Sequence, residues 1–516
     1  MADDGWFDVV IVGAGPAGCV LALRLTEDSA RSVALVEAGP DYGPDPGAWP
    51  ADLRDPMEIW PDSHPWGYLH GGRAADRPLS LPRARVVGGS STINACLWLR
   101  GSAVDYDGWV TLGNPGWSFA ELLRYFKRAE ADPLGGPMHG TAGPVPVFRT
   151  AEAALSPIDR AIVAAAEALG FPRVDDFNGS PRQYPGVGPM PKNVAGGMRM
   201  NAAFTYLAPA RRRPNLTLIA DALIDRVWIE AGRVTGVRTA DGRRIRGRQV
   251  VLCAGAYGSP AILLRSGIGP AEELRELGVP VVLDRPGVGG HLLDHPRLVF
   301  AKQDGRAGDS YLVNPAYAPA VPSFIPTLIK ARSKQVADEI DLHVYHGHNL
   351  DEEQGNWATW FGISLAYARS QGRVRLTSPD PAATLDIDHG YLTDPADLEA
   401  LCDGAELVAR LTATESLSAA VTPVPGQVPD WRDRDELRAW VSDRVATTFH
   451  PSSTCRMGPA TDPAAVVDHA GRVHGVAGLR VVDASIFPTG PHANLHCTVV
   501  ATAEKLADAF RDDHAA

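Results

Sequence analysis

Three glycines and one acid near the start of the chain carry the first readable chemistry. Gly13-Ala14-Gly15-Pro16-Ala17-Gly18 follows an apolar run, Phe7 to Val12, and opens another, Cys19 to Leu25. A further apolar run, Val33 to Val36, ends in Glu37. The order strand, turn, helix, strand is that of a dinucleotide-binding βαβ unit. The first glycine makes the tight turn. The second lets backbone approach a pyrophosphate on the helix N-terminus, and the third lets helix and strand pack closely. Glu37, 19 residues after Gly18, is placed to accept hydrogen bonds from the two adenosine ribose hydroxyls, and an acid there disfavours a ribose phosphate. The spacing by itself fits either FAD or NAD. Two more turns of small residues recur, at Gly88-Gly89-Ser90-Ser91-Thr92, expected just before a helix, and at Gly255-Ala256-Tyr257-Gly258-Ser259-Pro260, after the apolar run Val250–Ala254. Each can be a plain helix cap, and each can also turn free amides toward a phosphate or a ring.

The elements that must position these residues belong to a long chain. It has 516 residues, enough for two to four structural units. It is 45% hydrophobic and 21% charged, as a protein with a large buried core should be. A net charge of −12 argues against nucleic acid as a partner. The six cysteines, at 19, 96, 253, 402, 455 and 497, include no CxxC pair. They read as reduced thiols of a cytoplasmic protein, and no Cys/His cluster has zinc spacing. The start, Met1 to Trp6, is acidic and leads directly into a strand, so no secretory leader is expected; nor is a membrane span. The patterning predicts helices near 103–130, 156–169, 260–266, 396–413 and 499–510. It predicts strands at 216–219, 225–229, 249–254, Asp341–Tyr345, Gly362–Ala366 and Leu479–Val482. The stretch 303–335, rich in Gly, Pro and Tyr, is expected to cover a site.

Taken together, these segments resemble the glucose–methanol–choline (GMC) oxidoreductase family of flavoenzymes. Ala84–Asp107 fits its first signature and Gly255–Gly269 its second. His450-Pro451 through Thr454-Cys455-Arg456-Met457-Gly458, Val481–Ser485 and Pro491–Asn494 look like its C-terminal segments. The resemblance runs from residue 7 to about 510. It implies an α/β chain: a Rossmann-like FAD domain of discontinuous segments (1–60, 190–300 and 455–516), and a substrate domain with an antiparallel sheet (61–189 and 301–454), from which 84–107 reaches the flavin. It implies FAD contacts from Gly13, Gly15, Gly18, Glu37, Val87, Asn94, Ala95, Leu97, Ile224, Asp483 and Ala484. Some relatives bind FAD covalently through a His just before the Asn of the first signature. Ile93 stands there, so the FAD is expected to be non-covalent.

The resemblance also assigns the chemistry. A small-molecule alcohol would be oxidised to an aldehyde or ketone by hydride transfer to the flavin, with dioxygen or another acceptor taking the electrons. An alcohol carbon gives up hydride readily only as its hydroxyl proton leaves, so a base is needed beside it. By position His450 is that base. The paired position, a His or an Asn in the family, falls on Asn494, which would hold the oxygen. The family tail Asn-Thr-Asn-x-Pro-Thr departs here, with His496 for the second Asn and Thr498 for the Pro, and either His492 or His496 is close enough in sequence to replace Asn494. Phe449 is expected on the substrate pocket wall, with His496 and His343. The histidines His343, His346 and His348 fit buried or surface hydrogen bonding as well as pocket contacts. A hydroxynitrile lyase on the same fold, with FAD structural, is the alternative function.

Overall fold

The computed structural model describes residues 3–71, 79–299, 311–351, 355–424 and 431–515. Two sheets organise them. The first begins with β1 (Asp3–Val12), α1 (Pro16–Leu25) and β2 (Val33–Val36), β1 and β2 running parallel from Val9↔Val33 to Val12↔Val36. Val9, Val10 and Ile11 are fully buried, as a strand covered on both faces requires. β3 (Leu216–Ile219) lies parallel beside β2. On the other side follow β4 (Ile224–Glu230), β5 (Arg233–Thr239) and β6 (Arg244–Leu252), in the order β3-β2-β1-β6-β5-β4. β6 has two halves. Its start alternates Arg-Ile-Arg-Gly-Arg and pairs antiparallel with β5; its end, Val250-Val251-Leu252, is wholly buried between β1 and the strand Leu479–Val481.

The turn from β1 into α1 needs its glycines. Gly13 sits at φ +100°, where L side chains are strained. A Cβ on Gly18 would lie 1.9 Å from the Gly13 carbonyl oxygen. By contrast, a Cβ on Gly15 meets nothing within 4 Å.

Helices cover this sheet. Among them are α2 (Ala103–Thr111), α3 (Phe119–Ala129), α5 (Gly255–Arg265) and α7 (Leu495–Ala515), while α4 (Pro157–Ala168) and α6 (Pro395–Thr412) belong to the second sheet. Glu504 of α7 is fully buried and joins three segments: Arg24 of α1 (2.8 and 2.9 Å), Arg128 of α3 (2.6 Å) and the Tyr206 hydroxyl (2.9 Å). α2 and α3, in the stretch expected to belong to the second unit, bury Trp109, Phe119, Leu122 and Phe126 in the first core.

The second sheet is antiparallel and has nine strands. It contains Gly186–Pro189, β7 (Pro296–Val299), β8 (Tyr311–Val313), β9 (Ser323–Phe324), β10 (Thr327–Ala331), β11 (Leu342–Asp351), β12 (Asn356–Leu365), β13 (Val421–Pro423) and β14 (Ala446–Thr447). β11 and β12 pair along their whole length. α4 and α6 pack on one face, against Val344 and Ile363; Tyr345 and Trp360 point from the other, toward the first unit.

Several expectations shift. β7 lies in the second sheet, inside the stretch 190–300 assigned to the first. Of the expected cover, 303–310 lie outside the described residues, and 311–331 supply β8, β9 and β10. The serine-rich turn at 88–92 is followed by no α-helix. A single 3-10 turn, Gly89–Thr92, ends where the Asn94 side chain accepts from the Cys96 N–H (3.0 Å) and Cys96 adopts φ +61°. α5 starts at Gly255, five residues before the expected 260, because Asp483 accepts from the Gly255 N–H (2.9 Å) and Ser259 hydroxyl (2.6 Å) there. No helix among the described residues is long and apolar enough to cross a membrane.

The two glycines make a paired test. Gly18→Ala should cost at least about 2 kcal/mol by overpacking a backbone contact, whereas Gly15→Ala should leave the denaturation midpoint of the cofactor-free protein nearly unchanged.

Candidate active site

Between the two sheets runs a cleft of about 480 Å³. Gly13, Gly15 and Glu37 line its outer end; His450, Asn494, Tyr345 and Trp360 line its inner end. Asn94, Ala95, Leu97, Ile224, Asp483 and Ala484 lie along the wall between. Gly18 and Val87 are not on the wall: Gly18 packs on Gly13, and the Val87 N–H donates to the Pro40 carbonyl (3.0 Å). The residues present fit an FAD. Gly15 leaves open space at the start of α1, and no side chain caps that helix, so its first N–H groups are free for a diphosphate. Glu37 accepts from Ala14 N–H (2.8 Å) and Gly39 N–H (3.0 Å), which aims its remaining lone pairs. Burial raises its pKa to about 7, against the pull of these amides.

The inner end is built on one turn. Phe449 adopts φ +66°, a strained conformation for a bulky residue. Three bonds hold it: Phe449 N–H donates to Thr447 Oγ1 (2.6 Å), Arg83 Nη2 to the Phe449 carbonyl (2.8 Å), and His450 N–H to Asp294 Oδ1 (2.8 Å). The turn presents His450 with both ring nitrogens engaged. Nδ1 is 2.9 Å from His295 Nδ1, and Nε2 is 3.2 Å from Asn494 Nδ2. Two imidazole nitrogens that close must be one donor and one acceptor. Asn494 Nδ2 can only donate, so His450 Nε2 is the acceptor of that pair, and His295 Nδ1 is the acceptor of the other. His450 therefore carries its proton on Nδ1. Its Nε2 lone pair faces Asn494 and the cleft. Burial keeps both rings neutral: it lowers His295 to about 4 and holds His450 well below the ordinary histidine range, with the Arg83 and Arg297 cations adding to the effect.

The remaining histidines separate. His496 lines the cleft but packs edge-on against Trp98 at 5.3 Å, and burial lowers it to about 4. His492 turns away; its N–H donates to Asp105 (3.0 Å) and its Nδ1 pairs with the same carboxylate, which raises its pKa in spite of burial. So Asn494, not either neighbour, meets His450. His343 lies off the wall, with Nδ1 3.1 Å from the hydroxyl of Tyr345, which does line it. His346 and His348 point to the opposite face of β11. His348 Nε2 is 2.7 Å from Asp159, and His346 Nε2 is 2.8 Å from Thr327 Oγ1. Sequence reading did not single out Asp294, His295, Arg297, Trp60 or Arg83. The dipeptide Asp294-His295, a polar acid–histidine pair directly before the run Pro296–Val299, was the available signal.

A glycine-turned βαβ sheet facing an antiparallel sheet across a deep cleft, with a paired His and Asn at its inner end, defines a dinucleotide-cofactor oxidoreductase. The chain belongs to the GMC oxidoreductase family, whose N-terminal model matches residues 7–297 and whose C-terminal model matches 368–503, and it is an FAD-dependent enzyme. It is 38% identical over 541 residues to the oxygen-dependent choline dehydrogenase of Yersinia pestis bv. Antiqua (strain Antiqua), covering 98% of this chain and 94% of that one. Among solved structures, pyridoxine 4-oxidase from Mesorbium loti is 31% identical with a TM-score of 0.84, over 98% of this chain and 99% of that one. A fungal aryl-alcohol oxidase, 23% identical with a TM-score of 0.82 over 100% of both chains, shares the fold.

Glu37 gives a pH signature in the cofactor-free protein. An acid raised from 4.5 to about 7 stabilises the fold fully below pH 4.5 and loses that contribution as pH rises through 7. The loss amounts to about 3 kcal/mol by pH 8. Melting followed from pH 4.5 to 8 should show this decline in the parent, and Glu37→Gln should remove that part of the slope.

Proposed function

We propose that this enzyme oxidises an alcohol CH–OH to the aldehyde or ketone, with His450 as the base that takes the hydroxyl proton. The observation that supports it best is the unprotonated His450 Nε2 at the inner end of the cleft, paired at 3.2 Å with an Asn494 amide donor, so that acceptor and donor stand side by side. FAD bound in the cleft supplies the two-electron acceptor that takes hydride from the substrate carbon. The chain's own residues do the rest. The substrate oxygen is received between His450 Nε2 and the second N–H of Asn494 Nδ2. The proton passes to Nε2, and Asn494 steadies the oxygen while negative charge builds on it. His295 keeps His450 in the tautomer that can accept, and Trp60, Phe449, Tyr345 and Trp360 exclude water from the reacting carbon. The names of the relatives, choline dehydrogenase, pyridoxine oxidase and aryl-alcohol oxidase, support an alcohol as the substrate class.

FAD held only by such contacts leaves with acid. Precipitation in acid should release all the flavin to the supernatant, since Ile93 offers no atom for a bond at the place where some members of the family carry a linking histidine. Colour retained in the pellet overturns that reading.

Anaerobic mixing with alcohols tests the reaction itself, because a lyase would leave the flavin oxidised. His450→Ala should slow flavin reduction by about 10²–10⁴ and Asn494→Ala by about 10²-fold or more, each with FAD content unchanged. A His450→Ala enzyme that holds FAD and reduces within about tenfold of the parent excludes His450 as the base.

A further inference from the structure

Arg297 projects from β7 onto the wall of the cleft at its reacting end. Its guanidinium lies over two rings, 4.8 Å from the centroid of Trp60 and 4.8 Å from that of Phe449, the residue that precedes the base. Those rings are 4.3 Å apart. Among the described residues no carboxylate comes within ion-pairing distance of Arg297 and no hydrogen bond reaches its guanidinium; Nε is buried without a partner. Burial lowers its pKa only to about 10, so it remains a cation at neutral pH. The nearby acid, Asp294, is already saturated by His295 N–H, His450 N–H, the Tyr391 hydroxyl and the Thr447 hydroxyl. Acids on the described cleft wall are Glu37, at the far end, and Asp483, which caps α5. A guanidinium held on two aromatic faces and left without a carboxylate has N–H groups on the cleft wall free for a ligand.

We propose that the alcohol oxidised here carries a carboxylate that seats on Arg297, so that the enzyme acts on a hydroxy acid or a hydroxymethyl aryl acid. The inference rests on the oxidation reading above and narrows its substrate. Arg presents parallel N–H donors that match a carboxylate, and such charge-assisted pairs are strong when water is excluded. A quaternary ammonium, by contrast, would meet a like charge. The aromatic faces that could receive it, Trp60 and Phe449, already hold Arg297. Choline is therefore disfavoured, whatever the names of relatives at 38% identity.

The test uses the holoenzyme and matched pairs. Glycolate, 3-hydroxypropanoate and 4-(hydroxymethyl)benzoate are each compared with their amides, and with choline, for anaerobic flavin reduction. At least one acid should be tenfold or more better in rate over apparent Kd than its amide, and choline should be poorest. Arg297→Gln should bring that ratio to about one, Arg297→Glu should turn the preference toward choline, and Arg297→Lys should restore part of it. Benzoate against benzamide, titrated on the flavin absorption band, reads the same preference without turnover. Equal response to acid and amide, choline as the best substrate, or an unchanged ratio in a flavin-loaded Arg297→Gln overturns the proposal. If no alcohol reduces the flavin, the oxidation reading fails instead, and the benzoate titration still decides Arg297. If the variants lose FAD, the acid-to-amide ratio in the parent decides it.

Discussion

The carboxylate of Asp294 is the constraint on which the active end depends. It is buried at the point where the chain crosses from the first unit into β7, and a buried charge must be surrounded by donors or it unfolds its surroundings. Its four donors are the His295 and His450 amides, the Tyr391 hydroxyl, and the hydroxyl of Thr447 at the end of β14. One ion thus fixes the spacing between the strand that bears His295 and Arg297 and the turn that bears Phe449 and His450. The strained backbone of Phe449 is tolerable because this scaffold and Arg83 determine it from both sides.

The cofactor end follows a different logic, and it was the more legible of the two. Gly13, Gly18 and Glu37 act through backbone geometry and one carboxylate within a single contiguous βαβ unit. Spacing alone reports such a site. The inner end draws on residues 60, 83, 294–297, 345, 360, 449–450 and 494, brought together only by two sheets with crossing connections. There, spacing says little. The resemblance supplied His450 and Asn494, but neither composition nor periodicity marks His295 or Arg297, whose meaning lies in what they touch or fail to touch.

Element boundaries missed for similar reasons. β11 runs on to Asp351 through His346 and His348, which broke the apolar pattern in sequence but are satisfied in the fold by Thr327 and Asp159. The early start of α5 comes from Asp483, more than two hundred residues away, which no local window contains. α2 and α3 join the first core because their aromatic faces meet α7, a long-range choice that helix periodicity leaves open.

The electrostatics of the base and of Arg297 are linked. Burial and the neighbouring cations hold His450 neutral, which keeps its lone pair available at ordinary pH but makes it a reluctant holder of a proton. A base of this kind works well only if something in the bound state lessens the surrounding positive charge. Asp294 cannot, since its bonds to the two backbone amides and two hydroxyls are the same before and after proton transfer. A carboxylate brought by the substrate to Arg297 would neutralise one of the cations that depress His450, and would do so only when substrate is present. Recognition and proton acceptance would then be one electrostatic event: the correct alcohol arrives with the charge that makes its own hydroxyl proton easier to take, and a neutral analogue leaves the base as weak as it found it.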